Sequence, residues 1–145
     1  MDYELIDLDP ITIAGITLRT DNSETGFAKI QQHWGTFFQQ GVHQQLGVEP
    51  GTEICEAYFD YESDANGAYT LLLGARLSPS TPPMTDALTV RHFGAGRYAK
   101  FHIDDPNAIR HVWQHIWSRT DLDRRYACDF ELIGAQGADV YVSLK

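Results

Sequence analysis

The sequence predicts an α+β fold built from two pseudo-symmetric strand–helix–strand–strand repeats within a single domain. The first observation is that the stretch 92–117 repeats the stretch 13–38, since both contain an Ala-Gly pair followed by an amphipathic helix pattern. The second is that Trp34 and Trp113 stand at matching positions in the two copies. The third is a pair of alternating strand patterns after each helix. We therefore predict an antiparallel sheet with two main helices flanking a central cleft, the natural place for a ligand.

Length and charge limit the possible functions. The 145 residues are enough for one domain with a substantial core, and we divide it into half one at 1–78, a Ser/Pro-rich linker at 79–87 and half two at 88–145. Twenty acidic residues against eleven Lys and Arg give a net charge of −9. This charge argues against direct binding of nucleic acid, which requires a basic surface. It is compatible with simple solubility or with a cationic partner.

The first half opens with a strand pattern over 3–20 that is broken near Pro10. The apolar alternation in this stretch changes phase at Ala14 and Gly15, which predicts a β-bulge at the glycine. Apolar residues then recur at helical spacing over 24–40, and a glycine follows as a stop signal. We predict a helix there.

The second half repeats this order. A strand is predicted over 88–103 with interruptions at Gly94 and Gly96, and the Asp-Asp-Pro sequence at 104–106 is typical of a helix start. That helix is predicted to end near Ser118. A hairpin completes each half.

The two hairpins are recognised by alternation around turn sequences. In the first half, the segments 53–62 and 68–77 flank Ser-Asp-Ala-Asn-Gly. In the second half, the segments 128–133 and 138–144 flank Gly-Ala-Gln-Gly. We therefore expect four central strands in addition to the two long ones.

The sequence predicts a cytoplasmic protein without a metal or cofactor. No apolar run reaches the length of a membrane span, and the acidic N-terminus lacks a signal-peptide core. Cys55 and Cys128 lack ligand spacing and are expected to be reduced, buried thiols. His111 and His115 stand four residues apart, but no third ligand accompanies them, so a solvated helix face is the favoured interpretation.

Glu131 is the sharpest single candidate for a functional residue. It stands between Phe130 and Leu132 in a predicted strand, with Ile133 on its own face. If that face lines the cleft, the carboxyl group lies among apolar groups, where burial raises its pKa and a cationic ligand would stabilise the charge. The alternative is a solvated glutamate on the outer face of the sheet.

Aromatic side chains supply the other candidates. Trp34 and Trp113 would face each other near the symmetry axis, although mid-helix tryptophans more often belong to the core. Tyr58, Tyr98 and Tyr141 lie in predicted strands, where half-buried sheet packing is the alternative to a ligand-binding role.

The order of these features resembles a known family. The two repeated halves, the sequence GAGRYAKF before the second helix and the closing DFE…ADVYVSLK are similar to the GyrI-like small-molecule-binding domain, which also forms the effector-binding domain of AraC-type and MerR-type multidrug regulators. The resemblance covers nearly the whole chain. The sequence IQQHWGTFF is most similar to the stand-alone, integron-associated branch. The resemblance implies cationic, amphipathic ligands held in a pocket between the halves.

The resemblance also implies roles for individual residues. The family's ligand-pairing glutamate falls on Glu131, and its strand aromatics fall on Tyr98 or Phe101 and on Tyr141. Ile133 stands where the family often has Tyr, which puts a Tyr-dependent role at that position in doubt. The complete set of candidate ligand-binding residues is Trp34, Tyr58, Tyr98, Phe101, Trp113, Glu131, Ile133 and Tyr141.

Three functions follow as hypotheses. The first is a stand-alone binding protein for cationic lipophilic or amphipathic compounds, a monomer or homodimer, connected to drug sequestration or, through a partner DNA-binding protein, to transcription regulation. The second, implied by the resemblance, is a hydrolase of strained-ring electrophiles that uses Glu131 as base with Tyr141 as companion. The third is a protein-interaction module whose axis is filled by side chains.

Overall fold

The computed structural model describes residues 1–49, 51–77 and 88–145, and its architecture is the predicted α+β fold. Eight strands form one antiparallel sheet in the order β1-β6-β8-β7-β3-β4-β2-β5. The strands are β1 (Glu4–Leu8), β2 (Ile11–Thr20), β3 (Ile54–Phe59), β4 (Tyr69–Leu77), β5 (Thr89–Phe93), β6 (Gly96–Ile103), β7 (Cys128–Gly134) and β8 (Gly137–Leu144). The predicted linker at 79–87 lies outside the described residues.

The two main helices occur where the sequence predicts them. They are α1 (Glu24–Gln39) and α3 (Ile109–Ser118), and a short helix α2 (Val42–Gln45), which the sequence analysis missed, follows α1. The Ser23 hydroxyl caps α1 by accepting a hydrogen bond from the Gly26 amide at 3.0 Å. A 3-10 turn over Pro106–Ala108 leads into α3, and the Asp105 carboxylate accepts from the Asn107 amide at 3.0 Å.

The sheet has an approximate two-fold order around its centre. Strands β3 and β7 lie side by side in the middle, β4 and β8 flank them, and β2 and β6 follow. The outermost strands are exchanged, because β1 pairs with β6 of the second half and β5 pairs with β2 of the first half. The predicted strand over 3–20 is therefore wrong as one element: the break at Pro10 separates two strands near opposite edges of the sheet. The interruption in 88–103 likewise separates β5 from β6.

This exchange requires a strongly curled sheet. Two residues connect β1 at one edge to β2 beside the other edge, and two more connect β5 to β6. So few residues span only on the order of 10 Å, which brings the two edges close together. The face without helices is consequently enclosed by the sheet itself. Its core is formed by Ile11, Ile13, Cys55, Ala57, Phe59, Leu72, Tyr98, Cys128, Phe130, Leu132 and Tyr141.

Gly15 is not a bulge, so that prediction is wrong. The register between β2 and β4 runs unbroken from Thr12↔Leu77 to Thr20↔Tyr69, with Gly15 directly opposite Gly74. A β-carbon on either glycine would collide with the backbone of the other strand. At this position the two paired strands therefore lie closer together than a side chain permits. The apolar alternation is interrupted because β2 is buried on both faces. Ile13 lies on the face that the sheet encloses, and Ala14 lies beneath α1.

The helices cover the outer face of the sheet in two separate patches. Phe37 of α1 packs on Leu71, Leu73 and neighbouring residues of the first half. Val112 and Ile116 of α3 belong to the equivalent cluster of the second half. The centre of the sheet, β3 and β7, lies between these two patches. Among the described residues, no helix is long and apolar enough to cross a membrane.

Candidate functional site

A cavity of about 400 Å³ lies between α1 and α3, above the central strands β3 and β7. Its walls are mostly aromatic and aliphatic side chains from the two helices, and the Phe27 and Trp117 rings stack across the gap between the helices with centroids 6.5 Å apart. The cavity is lined by Asn22, Phe27, Ile30, Gln31, Trp34, Glu56, Tyr58, Tyr61, Ala65, Tyr69, Pro106, Ile109, Arg110, Trp113, Trp117, Arg124, Glu131 and Ile133.

Two carboxyl groups form the polar part of the floor. Glu56 of β3 and Glu131 of β7 are direct partners in the register of the two central strands. The two residues are 6% and 1% exposed, respectively. Because successive side chains of a strand alternate between faces, Tyr58 and Ile133 point to the same side as these carboxyl groups, and both line the cavity.

Tyr58 connects the two carboxyl groups. Its hydroxyl oxygen lies 2.5 Å from Oε1 of Glu56 and 2.6 Å from Oε2 of Glu131. The Tyr58 ring is held edge-on between the rings of Tyr69, at 5.5 Å, and Trp113, at 5.3 Å. The packing therefore fixes the hydroxyl at the symmetry axis.

Each carboxyl group also meets the helix of its own half. The indole N–H of Trp113 in α3 donates a hydrogen bond to Oε2 of Glu131 at 2.6 Å. The Trp34 side chain of α1 lies near Glu56 and opposes the rise in the pKa of that carboxyl group. The pairs Trp34–Glu56 and Trp113–Glu131 thus repeat the pseudo-symmetry of the sequence at the level of the site.

The environment of the floor favours neutral carboxyl groups. Burial raises the pKa of Glu56 to about 7, against the opposing effect of hydrogen bonds from Tyr58 and Trp34. Burial and then the neighbouring charge of Glu56 raise the pKa of Glu131 well above its ordinary value. Burial and the two nearby carboxylates also raise the pKa of Tyr58, so its phenol stays protonated and acts as a donor.

No basic side chain neutralises these two acids within residues 1–49, 51–77 and 88–145. Arg124, which lines one end of the cavity, is bound instead to the buried Asp129, with Nη2 2.8 Å from Oδ2. The Tyr61 hydroxyl donates to the same carboxylate oxygen at 2.6 Å. Arg110 lies over the Phe27 ring, 5.0 Å from its centroid.

This arrangement is suited to holding an organic cation. The walls offer apolar area and aromatic faces, whose negative π-surfaces attract a positive charge. The floor offers two buried acids, for which a cation supplies the missing counter-charge. The same acids, in contact with a phenol, could also accept or donate a proton.

Five of the eight predicted site residues line this cavity: Trp34, Tyr58, Trp113, Glu131 and Ile133. The other three do not. Tyr98 and Tyr141 lie on the enclosed inner face of the sheet, where both pack with Phe130. Phe101 lies on the helix face, but it is buried in the cluster beneath α3 and contacts Tyr3 and His115.

The alternation of β8 explains the correction for Tyr141. Val140 is the register partner of Glu131 and shares its face, so the next residue points to the opposite side. The predicted pairing of Glu131 with Tyr141 is therefore wrong, and the tyrosine that contacts Glu131 is Tyr58.

Glu56 is the functional candidate that the sequence analysis missed. A signal for it exists, because the tyrosine that the resemblance implies two residues after the glutamate, and that Ile133 replaces in the second half, is present in the first half as Glu56-Ala57-Tyr58. The two-fold arrangement superposes Glu56 on Glu131 and hence Tyr58 on Ile133. The tyrosine that the second half lacks at Ile133 is thus supplied to Glu131 by the first half.

Solved structures share this fold. An integron cassette protein from the mobile metagenome of Vibrio cholerae superposes with a TM-score of 0.78 at 20% identity, over 99% of this chain and 95% of that one. The structure of SAV2435 bound to tetraphenylphosphonium superposes with a TM-score of 0.75 at 19% identity, over 100% of this chain and 94% of that one. A comparison with curated proteins found no match.

A family model matches almost the entire sequence. The match extends over residues 4–144 and therefore includes both halves, both helices and every residue of the cavity floor. The model is that of Cass2, described as integron-associated effector binding protein. This chain accordingly belongs to the integron-associated effector binding protein family.

Proposed function

We propose that the protein binds lipophilic organic cations in the cavity between α1 and α3. The observation that carries this proposal is the pair of buried carboxyl groups, Glu56 and Glu131, at the floor of an aromatic cavity. Buried acids are normally paired with a basic group, and the basic residue at this end of the cavity, Arg124, is already bound to Asp129. A cationic ligand would complete the site.

The energetics favour a cation over a neutral molecule of the same shape. A charge pair at 4 Å is worth roughly 4 kcal/mol at a moderate effective dielectric. Each aromatic face in contact with the cation adds about 0.5–2 kcal/mol. Trp34 and Trp113 both line the cavity and are the candidates to supply such faces.

The relatives give independent support for this choice. The family is described by effector binding, which fits a cavity of small-molecule size. SAV2435, which has a similar fold, was solved with a lipophilic cation, tetraphenylphosphonium. At this level of identity the likeness concerns the fold, so the extension of that ligand class to the present chain is part of our proposal.

The decisive experiment compares two nearly isosteric compounds, methyltriphenylphosphonium and triphenylphosphine oxide. We expect wild-type protein to bind the cation on the order of 100-fold more tightly than the neutral oxide, as measured by calorimetry. The double variant Glu56→Gln/Glu131→Gln should lose this preference. A charge-matched control is Glu62→Gln/Asp64→Asn, which removes two exposed acids and should keep it. Equal affinity of the wild-type protein for both compounds would contradict the proposal.

A hydrolase is the second candidate, because a carboxyl–phenol pair does face the cavity. That pair is Glu131 with Tyr58, whose atoms are 2.6 Å apart. Purified protein would be incubated with a panel of small epoxides, and Tyr58→Phe would serve as the comparison. Turnover that depends on both residues would favour this second function, whereas absence of turnover across the panel would count against it.

We further propose a cytoplasmic location and action as a monomer or homodimer, with any role in transcription exerted through a partner DNA-binding protein. Both cysteines are free, buried thiols, as is usual in a reducing compartment. The net charge of −9 does not favour direct contact with nucleic acid. Light scattering of the purified protein, and its co-purification with a DNA-binding protein, would check the last two points.

A further inference from the structure

The contacts of Tyr58 require more than one proton. Its hydroxyl oxygen lies within hydrogen-bonding distance of Glu56, at 2.5 Å, and of Glu131, at 2.6 Å. A phenol has one proton to donate, and an ionised carboxylate can only accept. Two short contacts are therefore satisfied together only if one carboxyl group is protonated and donates to the phenol oxygen, while the phenol donates to the other.

The rest of the cavity does not compensate two negative charges. Of the titratable groups that line it, Tyr69 of β4 donates to the Asn22 side chain at 2.8 Å, and Tyr61 and Arg124 are bound to Asp129. The α3 residue Arg110 lies at the Phe27 ring. Within the described part of α1, the lining residues are Phe27, Ile30, Gln31 and Trp34, none of which titrates.

The geometry of the strands also disfavours full ionisation. Glu56 and Glu131 are direct cross-strand partners, and like charges in such positions repel each other. Both side chains are buried, which raises the pKa of each above its ordinary value. Two groups coupled in this way titrate as a pair, so the proton belongs to the pair and not to one residue.

We propose that Glu56 and Glu131 share one proton through Tyr58, so that the cavity without a ligand carries a single negative charge. This charge can reside on either carboxyl group, and it selects singly charged organic cations. The selection of ligands rests on the proposed function above, whereas the shared proton does not. A singly charged cation neutralises the site without further change. A doubly charged cation binds with release of the shared proton, because both carboxylates are then needed.

The shared proton can be observed in the free protein. Infrared difference spectra of wild type against Glu56→Gln and Glu131→Gln at neutral pH report the carbonyl stretch of a protonated carboxylic acid. We expect the band in wild type and its loss in both variants. In each variant, the new amide can donate to Tyr58 in place of the protonated carboxyl group, and the neighbouring acid that favours retention of a proton is gone, so we expect the remaining carboxyl group to ionise. Absence of the band from wild type, or its persistence in both variants, would overturn the proposal.

The charge selection is tested with a matched pair of ligands, N-methyl-4-phenylpyridinium as the single cation and 1,1′-dimethyl-4,4′-bipyridinium as the double cation. Calorimetry at neutral pH in two buffers of different ionisation enthalpy gives the number of protons released. We expect wild type to release about one proton more with the double cation than with the single one. Each single Gln variant should show no extra proton release with the double cation, because only one carboxyl group remains and no proton is shared.

The possible failures can be told apart. If one single variant loses the single cation as completely as the double variant does, the charge resides on one residue and the proposal is wrong. Equal proton release with both ligands in wild type would also overturn it. If wild type shows the infrared band but binds neither cation, the proposed function fails and the shared proton stands. Circular dichroism of each variant verifies that it is folded.

Discussion

Trp113 and Glu131 are joined by a hydrogen bond of 2.6 Å that connects the middle of α3 to the central strand β7. Both residues are buried, with Trp113 8% exposed and Glu131 1% exposed. The bond links a residue of the cavity wall to a residue of the cavity floor. The α3 helix is thus held on the sheet partly by the hydrogen bond to Glu131, in addition to its apolar contacts.

The first prediction concerns this bond. Replacement of Trp113 by Phe keeps an aromatic ring and removes the indole donor. We expect the free energy of unfolding to fall by about 2–4 kcal/mol, since a buried acceptor left without its donor costs about 1–3 kcal/mol and some packing is also lost. The measurement is urea denaturation near neutral pH. Trp117→Phe is the matched control: Trp117 is 38% exposed, and we expect a loss below about 1 kcal/mol. Equal losses in the two variants would show that the bond to Glu131 adds nothing.

The second prediction is a loss of stability with rising pH. The pKa of Glu56 is raised from 4.5 to about 7, so the folded protein holds a proton that the unfolded chain has already released. The stabilisation is therefore complete below the unfolded pKa and is lost as the pH rises through the folded one. Between about pH 4.5 and 7, we expect the free energy of unfolding to fall by on the order of 2–3 kcal/mol from this group.

Glu56→Gln serves as the control for this pH dependence. The variant should show a shallower decline over the same range, because the group whose raised pKa links protonation to folding has been removed. His102, whose pKa is raised by its hydrogen bonds to Asp139 and Asp104, titrates in both proteins and cancels in the comparison. Parallel curves for the two proteins would contradict the prediction.

The third prediction concerns Arg110, whose guanidinium lies 5.0 Å from the centroid of the Phe27 ring at the cavity wall. Its charge repels an entering cation and occupies an aromatic face that the cation could use. We expect Arg110→Gln to raise the affinity for methyltriphenylphosphonium about threefold at low salt and to have less effect at high salt, where charges are screened. Arg97→Gln on β6, which does not line the cavity, is the control. A gain that is independent of salt would exclude an electrostatic cause.

The fourth prediction compares two glycine substitutions. Gly35 lies in the middle of α1, and a β-carbon there meets nothing within 4 Å. Gly35→Ala should therefore stabilise the protein by about 0.5–1 kcal/mol through helix propensity. Gly74→Ala should be strongly destabilising or should prevent folding, since the added carbon collides with the Ala14 carbonyl group of β2. Thermal denaturation measures both effects, and an unaffected Gly74→Ala protein would mean that the strands can separate at little cost.

Local patterns predicted the local elements well. The helical periodicity located α1 and α3, the Asp-Asp-Pro sequence located the start of α3, and alternation around turn sequences located both hairpins. The exchange of β1 and β5 could not be predicted, because an edge strand has the same sequence pattern whichever half it pairs with. The residues Ile11 to Gly15 are buried on both faces of β2, which interrupts the apolar alternation in the way that a bulge would. The second contact surface comes from a distant part of the chain, so the local pattern could not reveal it.

The candidate site was predicted in part. Glu131, Ile133 and the two helix tryptophans were identified because one strand face and one helix face can be read from spacing alone. The sequence does not specify which face of β8 adjoins the cavity, so Tyr141 was assigned to it incorrectly. The contact of Glu131 with Glu56 depends on the register between β3 and β7, which are more than seventy residues apart, and only the tertiary structure establishes it.

The exchanged edge strands have a consequence for how the duplicated halves can be taken apart. Each half contributes its first strand to the other half, since β1 pairs with β6 and β5 pairs with β2. A chain cut anywhere between β4 and β5 would therefore yield two fragments that still pair with each other through these strands. Neither fragment alone could complete its own sheet, because its first strand, β1 or β5, would have lost the strand with which it pairs. Complementation of separately expressed fragments, rather than an independently folded half, is the behaviour that this topology imposes.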